Sequence, residues 1–312
     1  MAKVWEALKV VLVVAVLAGA VFFGVNYLAT PHDSSQSAPT AAKTTKKKTP
    51  AHKKQVSLVA VGDSLTEGIG DKAEGGFVGQ IKQTLTKKQG LKVTTTNAGK
   101  AGDRSDQILA RINKSKTLQQ SIAKADVLTV TVGGNDLLQT LEGSITSNNA
   151  AKNNATVAKA QTTYATKLTK LFDRLHQLNG SASVFVFSIY NPVFVNFPNV
   201  TSISDYVSQW NDQTQTTVSH YAKTYFMNIN TTMSHGQYKT AAQLNQLKKD
   251  SSSTTLTSLT NTAAINKALA AESKTNNLIS TEDNFHPNKK GYRVFSNKLY
   301  RTMMAHSAWL LK

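Results

Sequence analysis

The 312-residue chain contains no cysteine. Disulfides, cysteine-ligated zinc, iron–sulfur clusters, thiol catalysis and a lipid-modified N-terminal cysteine are all excluded by that absence. Acidic residues are also scarce: 18 Asp and Glu stand against 36 Lys and Arg, a formal net charge of +18 at pH 7. The 40% hydrophobic content is enough to build a core, so a wholly disordered chain is excluded. No internal repeat is present. His and acidic residues show no tight metal-ligand spacing, so no metal is expected, and the chemistry of the motifs described below needs no organic cofactor. No recognisable nucleic-acid-binding motif accompanies the positive charge. The excess charge points instead to an anionic surface such as a bacterial envelope.

The charge is spread along the chain. The first 55 residues hold eight lysines and two acids, a net +6, and the remaining +12 belongs to residues 56–312. Residues 10–29 form an uncharged, mostly apolar run. As a helix it would span roughly 30 Å, one bilayer core. Lys3 and Lys9 precede it, which favours a cytoplasmic N-terminus. Residues 1–29 are therefore expected to be a cytoplasmic stub and single-pass signal anchor, with the rest of the chain outside the membrane. Cleavage near Leu28-Ala29-Thr30 is the alternative and would release a secreted protein. Residues 30–55 are rich in Lys, Thr, Ser and Pro, lack large apolar residues and are expected to be a flexible tether. Its lysine run serves either solubility or contact with anionic polymer.

From residue 56 to 312 strands and helices alternate. Short apolar or β-branched runs predict strands over 56–62, 91–96, 126–132, 183–189 and 225–229. Helical spacing predicts helices over 76–87, 106–112, 155–178, 203–222 and 288–304. This is an α/β pattern, implying a mainly parallel three-layer sandwich with ligands at the carboxyl ends of the strands. Residues 231–275, rich in Thr, Ser, Asn and Gln, fit either a lid or an ordered insertion.

Three motifs follow successive predicted strands: Gly62-Asp63-Ser64-Leu65, Asn97 to Asp103, and Gly133-Gly134-Asn135-Asp136. A fourth, Asp283-Asn284-Phe285-His286-Pro287, opens the last helix. Each has a bland reading as a helix cap or turn. Together they supply a nucleophile in Ser64, a base in His286 and an orienting carboxylate in Asp283. Gly102 would let a backbone N–H approach the substrate, and Asn135 supplies an amide donor for a developing oxyanion.

These four blocks resemble those of the SGNH hydrolase family, also called GDSL lipases/esterases, whose four letters map to Ser64, Gly102, Asn135 and His286. Gly62 to Gly68 and Gly102 to Gln107 further resemble its membrane-proximal Gram-positive branch. The resemblance implies a flavodoxin-like α/β/α sandwich with a five-stranded parallel sheet. It also implies a Ser64–His286–Asp283 triad and an oxyanion hole formed by the Ser64 N–H, the Gly102 N–H and the Asn135 amide. No Gly-x-Ser-x-Gly elbow is present, which argues against the α/β-hydrolase fold.

Asp63 and Asp136 are expected to be structural, with Asp136 tying down its loop, and Asp103 and Arg104 to pair and shape the second loop. Phe194, Phe197 and Trp210 are candidates for an acyl pocket, although core packing is the commoner role of such residues. His32 and His52 lie in the tether, and His176, His220, His235 and His306 lack a neighbouring motif. The expected activity is hydrolysis of lipid or small acyl esters. The alternative is removal or transfer of O-acetyl groups on envelope glycans. A non-enzymatic envelope-binding protein is the third reading, disfavoured by the complete Ser, Asp and His set.

Overall fold

The computed structural model describes residues 51–144, 150–251 and 275–311. Five strands form a single sheet: β1 Gln55–Gly62, β2 Lys92–Gly99, β3 Val127–Thr131, β4 Ser183–Phe187 and β5 Thr224–Met227. Their order is β2-β1-β3-β4-β5, and every neighbouring pair is parallel. Every predicted strand is present. β2 runs on to Gly99, which pairs with Gly62, so Asn97 to Gly99 belong to the strand and not to the loop after it.

The described helices are α1 Ser64–Glu67, α2 Gly76–Gln89, α3 Ser105–Lys114, α4 Lys116–Ala123, α5 Gly134–Ser144, α6 Ala150–Leu178, α7 Thr201–Ser219, α8 Asn230–His235, α9 Ala241–Lys249 and α10 Lys289–Ala305. Strand side chains alternate between two helical layers, as the pleat requires. Val59, Val61, Leu128, Val130, Val184 and Val186 pack with α3 to α7. Leu58, Ala60, Val127, Phe185 and Phe187 pack with α2 and α10. Burial on both faces is why these strands read as continuous apolar runs instead of alternating ones. Phe77, Phe187 and Phe295 cluster in the second layer with ring centroids 4.9–5.9 Å apart. Full burial of each such ring contributes about 1.5–3 kcal/mol.

Five helices, α1, α4, α5, α8 and α9, are not among those the spacing predicts. α4 is a separate turn-bounded piece, capped by Ser115, whose side chain accepts from the Leu118 N–H. α5 begins inside the Gly-Gly-Asn-Asp sequence that reads as a turn. The opaque stretch 231–275 contains part of α8, all of α9 and, over 252–274, residues outside those described. The predicted membrane segment 10–29 and most of the tether also lie outside them. Among the described residues no helix is long and apolar enough to cross a membrane.

The strand order reverses between β1 and β3. Chain connections leave in opposite directions there, and a crevice opens at the carboxyl ends of the two strands. Ser64 follows β1 and Asn135 follows β3, so the topology brings both motifs to that crevice.

Candidate active site

The Gly62-Asp63-Ser64 turn is fixed by buried polar contacts. A Cβ on Gly62 would fall 2.3 Å from Thr131 Oγ1, so only glycine fits where β1 and β3 come together. Asp63 is the N-cap of α1, its Oδ1 accepting from the Leu65 N–H at 3.0 Å and from the Thr131 hydroxyl at 2.7 Å. Burial pushes its pKa up despite those hydrogen bonds. Asp63 is therefore structural, as expected, and the capping turn leaves Ser64 facing the crevice.

Asp283 and His286 lie in the loop before α10. His286 Nε2 is 2.8 Å from Ser64 Oγ, and His286 Nδ1 is 2.6 Å from Asp283 Oδ2. The other Asp283 oxygen accepts the backbone N–H groups of Phe285 and His286, each at 2.9 Å. Asn284 adopts a left-handed φ of 54°, a conformation asparagine tolerates well, and this folds the loop back on itself. Burial would raise the Asp283 pKa, but the hydrogen bonds from His286 and from the two backbone N–H groups outweigh it and hold the carboxyl at about 2. With Asp283 holding a proton on Nδ1, Nε2 is left to accept from the Ser64 hydroxyl.

Gly102 has a φ of 82°, a left-handed turn that glycine adopts without strain, and a Cβ there would meet no atom within 4 Å. No carbonyl among the described residues accepts from the N–H of Ser64 or Gly102. Asn135 Nδ2 donates one hydrogen to the Asp103 carbonyl at 2.9 Å and keeps a second one free. Ser64, Gly102, Asn135, Asp283 and His286 all line one cavity of about 410 Å³.

Asp136 does more than tie down its own loop. Its carboxylate accepts both the N–H and the hydroxyl of Ser105, at 2.9 and 2.6 Å, and so joins the Asn135 loop to the start of α3 just after Gly102. Burial raises its pKa against those two bonds. The expected Asp103–Arg104 pair does not form. Arg104 pairs with Asp106 at 3.1 Å, and Asp103 pairs with Arg111 at 2.9 Å, because α3 carries Arg111 back beneath the strand ends. The same guanidinium donates to the Ala98 carbonyl at 2.7 Å and to the Gly62 carbonyl at 2.9 Å. Arg111 thus clamps the ends of β1 and β2 and the loop whose carbonyl holds Asn135.

The rest of the cavity wall is largely aliphatic, with Leu137, Leu138 and Leu141 of α5, Ile189 and Val193 after β4, and Ile203 and Val207 of α7; Tyr190, Asn191 and Phe285 also line it. Phe194, Phe197 and Trp210 are not part of it. Trp210 is buried against Tyr164 at 5.0 Å, and Phe194 stacks on His235 at 4.6 Å. Packing, the commoner role, is what these aromatics have. Other described histidines are engaged elsewhere: His176 bonds Thr224 at 3.1 Å and His306 stacks on Tyr225. Among the described residues no cluster of three His or acidic side chains converges as a metal site would require.

The model of the GDSL-like Lipase/Acylhydrolase family matches residues 60–294. The uncharacterized protein YpmR of Bacillus subtilis (strain 168) is 28% identical over 252 residues, 80% of this chain and 82% of its own. The spore germination lipase LipC of Bacillus licheniformis is 31% identical over 161 residues, 50% of this chain and 72% of its own. Among solved structures, the lipase Lip_vut3 from a goat rumen metagenome superposes with a TM-score of 0.57 at 22% identity, covering 79% of this chain and 96% of that one. A Clostridium thermocellum family 3 carbohydrate esterase gives a TM-score of 0.50 at 20% identity, covering 83% and 100%. At these identities the structural likeness is one of fold. The family match runs from within β1 into α10, and on that extent the chain belongs to the GDSL-like lipase/acylhydrolase family and is an ester-hydrolysing enzyme.

Proposed function

We propose that the chain is a serine acylhydrolase that works through Ser64, His286 and Asp283 on esters with an aliphatic acyl chain. The hydrogen-bonded line from Asp283 through His286 to Ser64, opening onto an aliphatic cavity, carries this reading. A serine hydroxyl is scarcely ionised at neutral pH, so attack needs a base in contact. His286 Nε2 takes the proton as Ser64 Oγ adds to the ester carbonyl. Asp283 holds the ring and balances the imidazolium charge. The oxyanion is received by the Ser64 and Gly102 N–H groups and the free Asn135 hydrogen. Collapse releases the alcohol, which takes the proton from His286. Water, deprotonated by His286, then attacks the acyl-enzyme, and as the acyl–Oγ bond breaks His286 returns that proton to Ser64 Oγ and the carboxylic acid leaves.

The substrate preference follows from the wall. Seven aliphatic side chains offer an acetyl group far more apolar surface than it can cover, whereas a longer chain buries its methylenes there at about 0.8 kcal/mol each. For location, the charge-free run at 10–29 behind Lys3 and Lys9 supports an N-terminal anchor with the hydrolase outside the cell. Hydrolysis of a series of nitrophenyl esters and of acetylated glycans tests the substrate reading, with Ser64→Ala as control. Rising kcat/KM from acetyl to medium chains is expected. A sharp acetyl optimum, with acetylated glycan preferred, would replace the lipid reading with the O-acetyl one.

A further inference from the structure

The two helical layers differ in charge. Helices α3 to α7 carry eight basic and six acidic residues, while α2 and α10 carry eight basic residues and no acidic one. The six acids of the first layer offset most of its charge, and two of its cations pair directly: Lys167 meets Asp106, as does Arg104 just before α3, and Arg111 meets Asp103. The second layer has no acid of its own, and among the described residues Lys289 alone of its cations pairs, with Glu74. Lys82, Lys87, Lys88, Lys290, Arg293 and Arg301 are exposed and have no acidic partner among the described residues. Lys88 lies over the Tyr300 ring at 4.9 Å, which keeps it on the face instead of folding it away.

We infer that the α2/α10 face docks on an anionic lipid surface. Three observations select a membrane as the occupant. The face is single-signed, and none of its cations lines the catalytic cavity or the three other principal cavities, so its charge is spread over the helix surface and not gathered in one of those clefts. It exposes no large apolar side chain, which fits attraction to headgroups without insertion. Lys53, in the described end of the basic segment, also lies beside it, its N–H donating to the Leu310 carbonyl just beyond α10. Like the location proposed above, on which it rests, this inference supposes that a bilayer lies within reach of the tether. Docked in this way, the sheet lies along the membrane, and the mouth beside His286 opens sideways over it, where an acyl ester of a lipid would be met.

The test uses the full chain, mixed with vesicles of phosphatidylcholine alone or of phosphatidylcholine with phosphatidylglycerol. Flotation reads the anchor. Lysine acylation by a water-soluble succinimidyl ester, mapped by peptide mass spectrometry, reads docking. Labelling at Lys82, Lys87, Lys88 and Lys290 is expected to fall about tenfold on the anionic vesicles at low salt and to recover at high salt, while Lys152, Lys159 and Lys170 label alike on both. The combined Lys82→Glu, Arg293→Glu and Arg301→Glu variant should lose the protection of Lys87, Lys88 and Lys290 and still hydrolyse a soluble short-chain ester. Flotation without selective protection retains the anchor and overturns the docking. Protection shared by both layers, or produced by soluble poly(glycerol phosphate) but not by anionic vesicles, overturns it too. Failure to float with any vesicle overturns the location on which it rests.

Discussion

The two halves of the site are built differently. The proposed nucleophile and oxyanion half stands on the ends of β1, β2 and β3 and is over-determined by buried polar groups. Asp63 and Thr131 fix the serine turn, Asp136 and Ser105 join two loops, and Arg111 clamps three backbone segments. The proposed acid–base half is one loop. Asp283 and His286 hold each other, and the loop is tied down by the Ser280 N–H to the His286 carbonyl at 2.8 Å and by the Tyr190 hydroxyl to the Phe285 carbonyl at 2.9 Å. The carboxylates differ accordingly. Burial raises Asp63 and Asp136, whose charges serve the scaffold, while the loop holds Asp283 at about 2, ionised beside its imidazole. In the proposed mechanism the charge is received where side-chain contacts join three strand ends, and the proton is carried by a side chain held within one hydrogen-bonded loop.

Variants can break that contrast. Removing the reacting groups, by Ser64→Ala or His286→Ala, should lower kcat by about a millionfold, measured on a soluble ester. Asp283→Asn should cost about ten-thousandfold, because the imidazole loses the partner that selects its tautomer. In the rigid half, Asn135→Ala should lower kcat by about a hundred- to a thousandfold with KM little changed, since only the transition state carries the oxyanion. Arg111→Lys keeps the charge but cannot span three acceptors. We expect about a tenfold fall in kcat, again without a KM change, and a lower Tm. Tyr190→Phe removes one hydrogen bond from the acid–base loop and should cost only about 1 kcal/mol of activation free energy. If Tyr190→Phe proved more damaging than Arg111→Lys, the two halves would have been ranked in the wrong order.

The smallest effects are electrostatic, read by carboxyl carbon NMR titration. Asp283, depressed in the folded state, contributes stability that is present above the ordinary value of 3.8 and is lost as pH falls through about 2. Asp63 and Asp136 are raised, so the sign reverses: their contribution declines as pH rises from 3.8 through their folded midpoints. Midpoints of all three near 3.8 would remove the electrostatic side of the comparison.

The same contrast explains what the sequence disclosed. Ser64, Gly102, Asn135, Asp283 and His286 sit in short local blocks, and the strands between them are apolar throughout because both faces are buried. Arg111 carries no such mark. It occupies an amphipathic helix like any surface cation, and its partner carbonyl at Gly62 is 49 residues away. The acyl cavity was equally hidden, since Leu137, Leu138 and Leu141 lie in a helix whose first turn reads as Gly-Gly-Asn-Asp loop chemistry. The sequence pointed to Phe194, Phe197 and Trp210, whereas the wall is largely aliphatic and its aromatics are Tyr190 and Phe285. Helix α9 was obscured by its Gln-rich polar face, although Thr240 and Gln243 form a capping box at its start.

The most direct measurement is reaction of the full chain with a fluorophosphonate probe, followed by peptide mapping. One adduct per chain is expected, on Ser64, absent from Ser64→Ala and formed far more slowly in His286→Ala. An adduct on another serine, or ester hydrolysis that survives complete modification of Ser64, would contradict it.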